Sequence, residues 1–255
     1  MSRQNISFSG EFDIGSPELS PLVCYPRFSE GDYAARTAEM SSLGVHSIVL
    51  EGGTVVNGLP ICGKGCVGLV LCAKGKGGLL LALKIRRTDA DRPSMDGEAQ
   101  FHQIANAAGV GPRYFGHTQN MMAMEFVEGQ SIIEWIRTAA SPEQFRAVAR
   151  SVLNQCFMLD QAGIDHGELS RLGRHVIVSK DGRPYIIDFE SASTVRRPSN
   201  VTSAAQSLFL FGSVAGRARE IAGPVDSEKA ISLLSRYKRQ RSSETYSDLT
   251  DFLKI

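Results

Sequence analysis

Three glycines, Gly63, Gly65 and Gly68, stand in G-x-G-x-x-G spacing. In that pattern a backbone can approach phosphate closely because no Cβ intervenes. The residues after Gly68 decide the kind of phosphate site. In a dinucleotide-binding fold the third glycine opens a helix whose N-terminus holds the pyrophosphate. Here Val67–Ala73 is apolar and β-branched without a helical period, Lys74-Gly-Lys-Gly-Gly78 turns, and Leu79–Ile85 resumes. That order reads strand, turn, strand. No Gly-Lys-Ser/Thr opens a helix, which excludes a P-loop as well. Lys84 ends the second strand, and an ammonium on an apolar strand needs a compensating anion. Two carboxylates supply complementary chemistry. Asp188 comes after the apolar Tyr185-Ile-Ile and could hold a hard divalent cation. Glu168, in His166-Gly-Glu-Leu169, could accept a hydroxyl proton. A phosphate clamp, a metal-holding carboxylate and a group that positions a hydroxyl are the parts phosphoryl transfer needs.

Several elements must position these groups. Ser29-Glu-Gly-Asp32 resembles a capping box and opens a helix ending near Gly44. His46–Leu50 and Thr54–Val56 read as strands leading into the glycine hairpin. A basic loop, Arg86–Arg92, precedes a helix with Pro93 in its first turn and its end at Gly109, which carries Glu98 and Asp96. The run Asn120–Gly129 is a buried strand entering a turn, and Ser131–Thr138 a short helix. The best-marked helix has Ser141 as cap, Pro142 first and Gln144 completing the capping box. Phe145, Val148, Val152, Cys156 and Leu159 share one face, and Gly163 closes it. A strand His175–Ser179, the Asp-Gly turn at Lys180–Arg183 and a strand Pro184–Phe189 form a hairpin. Helices near 202–221, 226–238 and 243–253 finish the chain. A mostly β half thus precedes a mostly α half, joined near Glu125–Gly129.

On these residues the chain resembles a compact, atypical protein-kinase-like enzyme, a family of predicted archaeal serine/threonine kinases related in style to the RIO kinases. The likeness spans residues 45–200 or so. It implies an α+β, bilobal fold, with an antiparallel β-sheet N-lobe and a reduced, mainly helical C-lobe. Residues 1–20 would be loosely ordered. The N-lobe would cover 21–125, with a helical extension to about 50 and the glycine loop at 61–72, and the C-lobe 126–255. In the roles the resemblance implies, Gly63, Lys64, Gly65 and Gly68 cover the triphosphate of ATP. Val70 and Ala82 face each other and sandwich the adenine. Lys84 grips the α- and β-phosphates and is oriented by Glu98. Met124 lies behind the adenine, and the backbone of Glu125 and Val127 bonds it. Glu168 stands where the family has its aspartate base, with Asp165 as fallback, and His166 packs the loop. Asp188, in Ile-Asp-Phe-Glu, holds Mg²⁺ or Mn²⁺. Lys84 and Asp188 would meet across a cleft to grip one triphosphate.

The departures from the family pattern carry expectations too. His175 occupies the place of the second metal ligand, an asparagine in the family, two residues late. Imidazole suits softer ions, which implies a preference for Mn²⁺, or a site run on one metal. Glu190 replaces the family glycine. Only 67 residues come after Asp188, with no Ala-Pro-Glu motif, which implies no room for the long activation segment and peptide-docking lobe of ordinary protein kinases. Arg196-Arg-Pro198 is a basic loop, either solvated or in contact with phosphate. Cys66 marks the tip of the glycine loop.

With 255 residues, 42% apolar and 22% charged, the composition is that of an ordinary soluble protein. A net charge of +1 offers no global attraction to nucleic acid or anionic membrane. No apolar run reaches a membrane span, and five cysteines without C-x-x-C spacing read as free thiols in a reducing cytoplasm. The leading expectation is an ATP-dependent kinase acting on serine or threonine hydroxyls of a protein, with no nucleic-acid or membrane partner. One alternative is a small-molecule kinase of the aminoglycoside or choline phosphotransferase style. The other is a nucleotide-binding pseudokinase.

Overall fold

The computed structural model describes residues 10–138 and 141–255. Of the loosely ordered stretch expected at 1–20, residues 1–9 lie outside it. The chain divides into two compact units, residues 1–99 with 113–126, and residues 100–112 with 127–255. The boundary falls after Phe126, one residue past the expected one, and 100–112 go with the second unit.

The first unit contains β1 (Gly10–Asp13), α1 (Ser20–Val23), α2 (Glu30–Ser42), β2 (Val45–Leu50), β3 (Thr54–Val56), β4 (Leu59–Ile61), β5 (Gly63–Lys64), β6 (Gly68–Gly75), β7 (Leu80–Arg86), the start of α3 (Asp96–Ala107), β8 (Tyr114–His117) and β9 (Met121–Glu125). Its antiparallel sheet runs β1-β2-β6-β7-β9-β8, and β5 pairs with β6. The loose order expected for residues 10–20 does not hold. Gly10–Asp13 pairs along β2 and covers that sheet edge. β3 and β4 form a hairpin of their own. Asn57 (φ 51°) and Gly58 (φ 83°) turn it, the Asn-Gly pair that favours such tight turns. The helix expected from Pro93 begins at Asp96 instead. Ser94 Oγ accepts from the Asp96 backbone N–H at 3.3 Å and takes the capping role.

Strand alternation separates two faces of this sheet. Leu69, Leu71, Ala73, Leu81, Leu83, Ile85, Met121 and Ala123 point to one side, where they pack with Leu19, Leu22, Val23 and Met40 from α1, α2 and their approach. The N-terminal segment therefore roofs the sheet. Arg36, buried in that roof, donates to the carbonyls of Val23 at 2.8 Å and Arg86 at 2.6 Å. Its charge-dispersing fork satisfies carbonyls at the end of α1 and the end of β7.

The second unit continues with β10 (Gly129–Ser131), α4 (Ile132–Thr138), α5 (Pro142–Gln161), α6 (Leu172–His175), β11 (Val176–Ser179), β12 (Pro184–Ile186), α7 (Asn200–Ala205), α8 (Gly212–Ala222), α9 (Ser227–Gln240) and α10 (Ser243–Leu253). α5 forms as its cap indicates. Ser141 Oγ accepts from Gln144 N–H at 3.2 Å, and Phe145, Val148, Val152, Cys156 and Leu159 are buried in the core. The helix expected at 202–221 is two helices. A wide turn at Gln206–Leu210 leads to extended Phe211 (φ −132°), and α8 restarts at Gly212. β12 ends at Ile186, short of Phe189, because the next residues turn to deliver Asp188.

Candidate functional site

In the first unit, the sheet face opposite the roof carries the expected nucleotide residues. Cross-strand register aligns Gly63, Val70, Lys84 and Met122 in one row, and Cys72, Ala82 and Met124 in the next. Val70 and Ala82, expected to face each other across the adenine, instead lie diagonally, in adjacent rows of one face. The register, invisible in either strand alone, decides this. Met124 ends the second row and is 8% exposed.

β5, Gly65–Val67 and β6 form the anticipated glycine hairpin, with Gly65 N–H donating to Gly68 O at 2.8 Å. Its glycines are not equivalent. A Cβ on Gly68 would fall 2.8 Å from the Ile85 carbonyl, so packing alone demands glycine there. At Gly63 and Gly65 a Cβ would meet nothing closer than 4.0 and 3.6 Å respectively. Neither packing nor a left-handed backbone requires glycine at these two positions. That freedom suits a backbone reserved for a phosphate ligand. Lys64 is exposed, and its ammonium donates to the Tyr25 hydroxyl at 2.6 Å.

Lys84 is buried, and its Nζ lies 2.6 Å from Glu98 Oε1. Glu98 is 3% exposed in the first turn of α3. That turn is anchored by Met95 and Ala99, which pack with Met122, Met124 and Ala82 on the same sheet face. Asp96, the competing carboxylate, is exposed and faces His117 at 3.2 Å. The helix period separates the two: Glu98 turns inward and Asp96 outward. Glu125 N–H is taken by the Arg113 carbonyl at 2.8 Å.

In the second unit, residues 164–168 are pinned from several sides. Asn200 donates to Asp160 Oδ1 at 2.8 Å and to the Ile164 carbonyl at 2.7 Å, and accepts from His166 N–H at 2.9 Å. Asp160 also accepts the Tyr237 hydroxyl at 2.8 Å. Burial pushes the Asp160 carboxyl up, and these donors oppose the push. His166 is fully buried and donates Nε2–H to the Ile187 carbonyl at 3.0 Å. Burial lowers its pKa to about 4, so it is neutral at pH 7. Its role is the packing one expected.

Asp165, the fallback acceptor, is fully committed. Its Oδ2 accepts from Arg196 Nε at 2.9 Å, and its Oδ1 accepts from Ser199 N–H at 3.2 Å. Arg196, itself exposed, is thereby a clamp on this loop. Gly167 (φ 88°) lies beneath the clamp, where a Cβ would come 2.6 Å from Arg196 Nη2 and 2.7 Å from the Ser191 carbonyl.

Glu168 has one oxygen hydrogen-bonded and the other facing an imidazole. Ser191 Oγ donates to Oε1 at 2.6 Å, and His175 Nε2 stands 3.0 Å from Oε2. The Ser191 bond foremost, then the nearby His175, keep its carboxyl below the usual range against the opposing effect of burial. Asp188 occupies the left-handed region (φ 69°, ψ 71°), an uncommon place for a non-glycine residue and frequent at functional sites. Its Oδ2 is 3.7 Å from His175 Nδ1. One imidazole therefore faces both carboxylates. Gly173 stands where the family spacing would put asparagine, and a Cβ there would come 2.2 Å from Ile133 Cδ1. An asparagine there would have to push the Ile133 side chain of α4 aside. Ser191, Asp160 and Asn200 are functional neighbours that sequence reasoning misses, since single polar residues carry no spacing pattern.

A glycine hairpin over a sheet face bearing a buried lysine–glutamate pair, and a histidine-led loop beside a strand-end aspartate, define a protein-kinase-like protein. Residues 91–203 match the model of the RIO domain. An uncharacterized protein of Methanocaldococcus jannaschii is 31% identical over 97 residues, 38% of this chain and 81% of that relative. The chain belongs to the RIO family of atypical protein kinases. The matched stretch contains Glu98, Glu168 and Asp188, and starts after the glycine hairpin and Lys84.

Proposed function

We propose that this protein is an ATP-dependent kinase that transfers the γ-phosphoryl group to a serine or threonine hydroxyl of a protein substrate. The observation that carries the reading is the buried Lys84–Glu98 pair on the glycine-hairpin side of the sheet. A buried charge pair is a poor source of stability against an apolar alternative, which favours a role in holding a ligand anion. Lys84 grips the α- and β-phosphates, Glu98 aims it, and Gly63 and Gly65 let the hairpin backbone close on the triphosphate. Val70, Ala82 and Met124 form the apolar surface for adenine. With its N–H engaged, Glu125 offers its carbonyl to the purine edge, and Val127 its N–H.

Asp188 presents hard oxygen donors, and their chemistry fits Mg²⁺ or Mn²⁺. The ion, when bound, neutralises charge on the β- and γ-phosphates. His175 we assign to Glu168 rather than to metal, since both its nitrogens face carboxylate oxygens. Glu168 accepts the acceptor hydroxyl's proton as the oxygen–phosphorus bond forms and the bond to the β,γ-bridging oxygen breaks. Its carboxyl, held low, is ionised at neutral pH and free to accept. Ser191 and His175 fix the torsion that the extra methylene of glutamate adds relative to aspartate.

A cytoplasmic protein substrate, without nucleic acid or membrane, completes the reading. No helix among the described residues is long and apolar enough to cross a membrane. Incubation with γ-labelled ATP, Mg²⁺ or Mn²⁺ and a generic protein substrate tests it. Label on protein supports the proposal, and Lys84→Ala and Asp188→Ala abolish it. Label on a small hydroxylated metabolite alone would indicate a metabolite kinase. Bound, unhydrolysed ATP would indicate a pseudokinase, the reading favoured if the Ser191 bond and the His175 ring beside Glu168 shut out a substrate hydroxyl.

A further inference from the structure

The segment before the glycine hairpin has a contact that its roofing role does not explain. Tyr25 comes shortly after α1 and projects its ring toward the hairpin. Its hydroxyl accepts from Lys64 Nζ at 2.6 Å, and the same ammonium lies 4.6 Å from the ring centroid. On the ring, the Arg87 guanidinium sits 5.3 Å from the centroid. Arg87 is steadied by two bonds to Asp89 at 2.8 Å. The backbone closes the same circuit. Arg87 N–H donates to Val67 O, within the glycine loop, at 2.8 Å, and Thr88 N–H donates to Tyr25 O at 2.8 Å. Thr88 Oγ1 in turn accepts from Arg27 N–H at 3.2 Å. One aromatic residue thus links the N-terminal segment, the glycine loop and the strand end beyond Lys84.

We infer that Tyr25 is a positioning residue for nucleotide binding: it keeps the glycine loop ordered through Lys64 and the Arg87 circuit. The inference rests on the nucleotide-binding reading of that loop. A loop with Gly63, Gly65 and Gly68 loses much conformational entropy on ordering. Whatever orders it beforehand removes that cost from binding. Lys64 is the cation of the loop, and Tyr25 offers it a hydroxyl acceptor. The segment before β2 then acts on the site without touching the nucleotide.

The test uses the full chain with Tyr25→Phe, which removes the hydroxyl and keeps the ring, and Tyr25→Ala, which removes both. The readouts are the dissociation constant for ATP and amide hydrogen exchange across residues 63–68 without nucleotide. Tyr25→Phe is expected to weaken ATP binding about fivefold, as fits loss of one partly exposed charged hydrogen bond. Loop exchange should accelerate, with melting temperature unchanged and turnover at saturating ATP near wild type. Tyr25→Ala should do more on both counts. Lys64→Met should weaken binding similarly, and the Tyr25→Phe/Lys64→Met double variant no further, since both act through one contact. Unchanged loop exchange in Tyr25→Phe overturns the inference, as does an additive double variant. If the wild type binds no ATP, the nucleotide reading fails, and the exchange measurement alone still decides whether Tyr25 orders the loop.

Discussion

Replacing Lys84 by methionine removes one member of a buried ion pair and leaves the other. Glu98 is 3% exposed and loses the ammonium 2.6 Å from Oε1. Breaking such a pair from one side costs about 3–5 kcal/mol, because the remaining buried charge loses its closest counter-charge. Replacing both partners with residues of similar volume costs little and can stabilise. The expected pattern is therefore non-additive. Lys84→Met and Glu98→Leu each destabilise by about 3–5 kcal/mol, and the double variant returns to within about 1 kcal/mol of wild type. The double variant places leucine and methionine against Met95, Ala99 and Met122, an apolar setting that accepts them. Urea unfolding of the four proteins at pH 7 measures this, and a single variant should melt on the order of 10 °C lower. ATP binding should be lost in all three variants, including the stable one. That separation of stability from binding distinguishes a ligand-directed pair from a structural one. A Lys84→Met protein as stable as wild type would refute the reasoning, as would a double variant no better than either single.

Burial holds the pKa of His166 near 4, below the 6.5 of an exposed imidazole. Between those values the unfolded chain binds a proton that the folded one refuses, so stability falls as pH drops from about 6.5 toward 4. At pH 5 the loss relative to pH 7 is about 2 kcal/mol. The unfolding free energies of wild type and His166→Asn at the two pH values isolate it, the variant being flatter by that amount. Ser191→Ala frees one oxygen of Glu168 and is expected to lower kcat about tenfold with little change in KM for ATP; steady-state kinetics on the phosphorylated protein substrate reads both. Gly173→Asn, which restores the residue type the family pattern has there, must displace Ile133. It should destabilise by about 1–3 kcal/mol in chemical denaturation and leave the metal preference unaltered. His175→Asn should lower turnover equally in Mg²⁺ and Mn²⁺ if His175 serves Glu168. Loss confined to one metal would return it to the ligand role.

Local chemistry is enough to place the strand–turn–strand around Gly63–Ile85, the cap and apolar stripe of α5, the Asp-Gly hairpin and the buried character of Lys84. Each depends on residues close in sequence, where periodicity, capping and turn preferences act directly. The Asn57-Gly58 turn is equally local, though it was not among the expected hairpins. Every relation set by packing between distant segments needed the tertiary structure. Register put Val70 and Ala82 in adjacent rows of one face, and helix phase chose Glu98 over Asp96. Arg196 reached back to occupy Asp165, and Ile133 closed the volume at Gly173, so His175 meets Glu168 and Asp188. Such choices depend on which side chain finds space and a partner once the backbone has folded, and neighbouring residues in the chain hold no record of that.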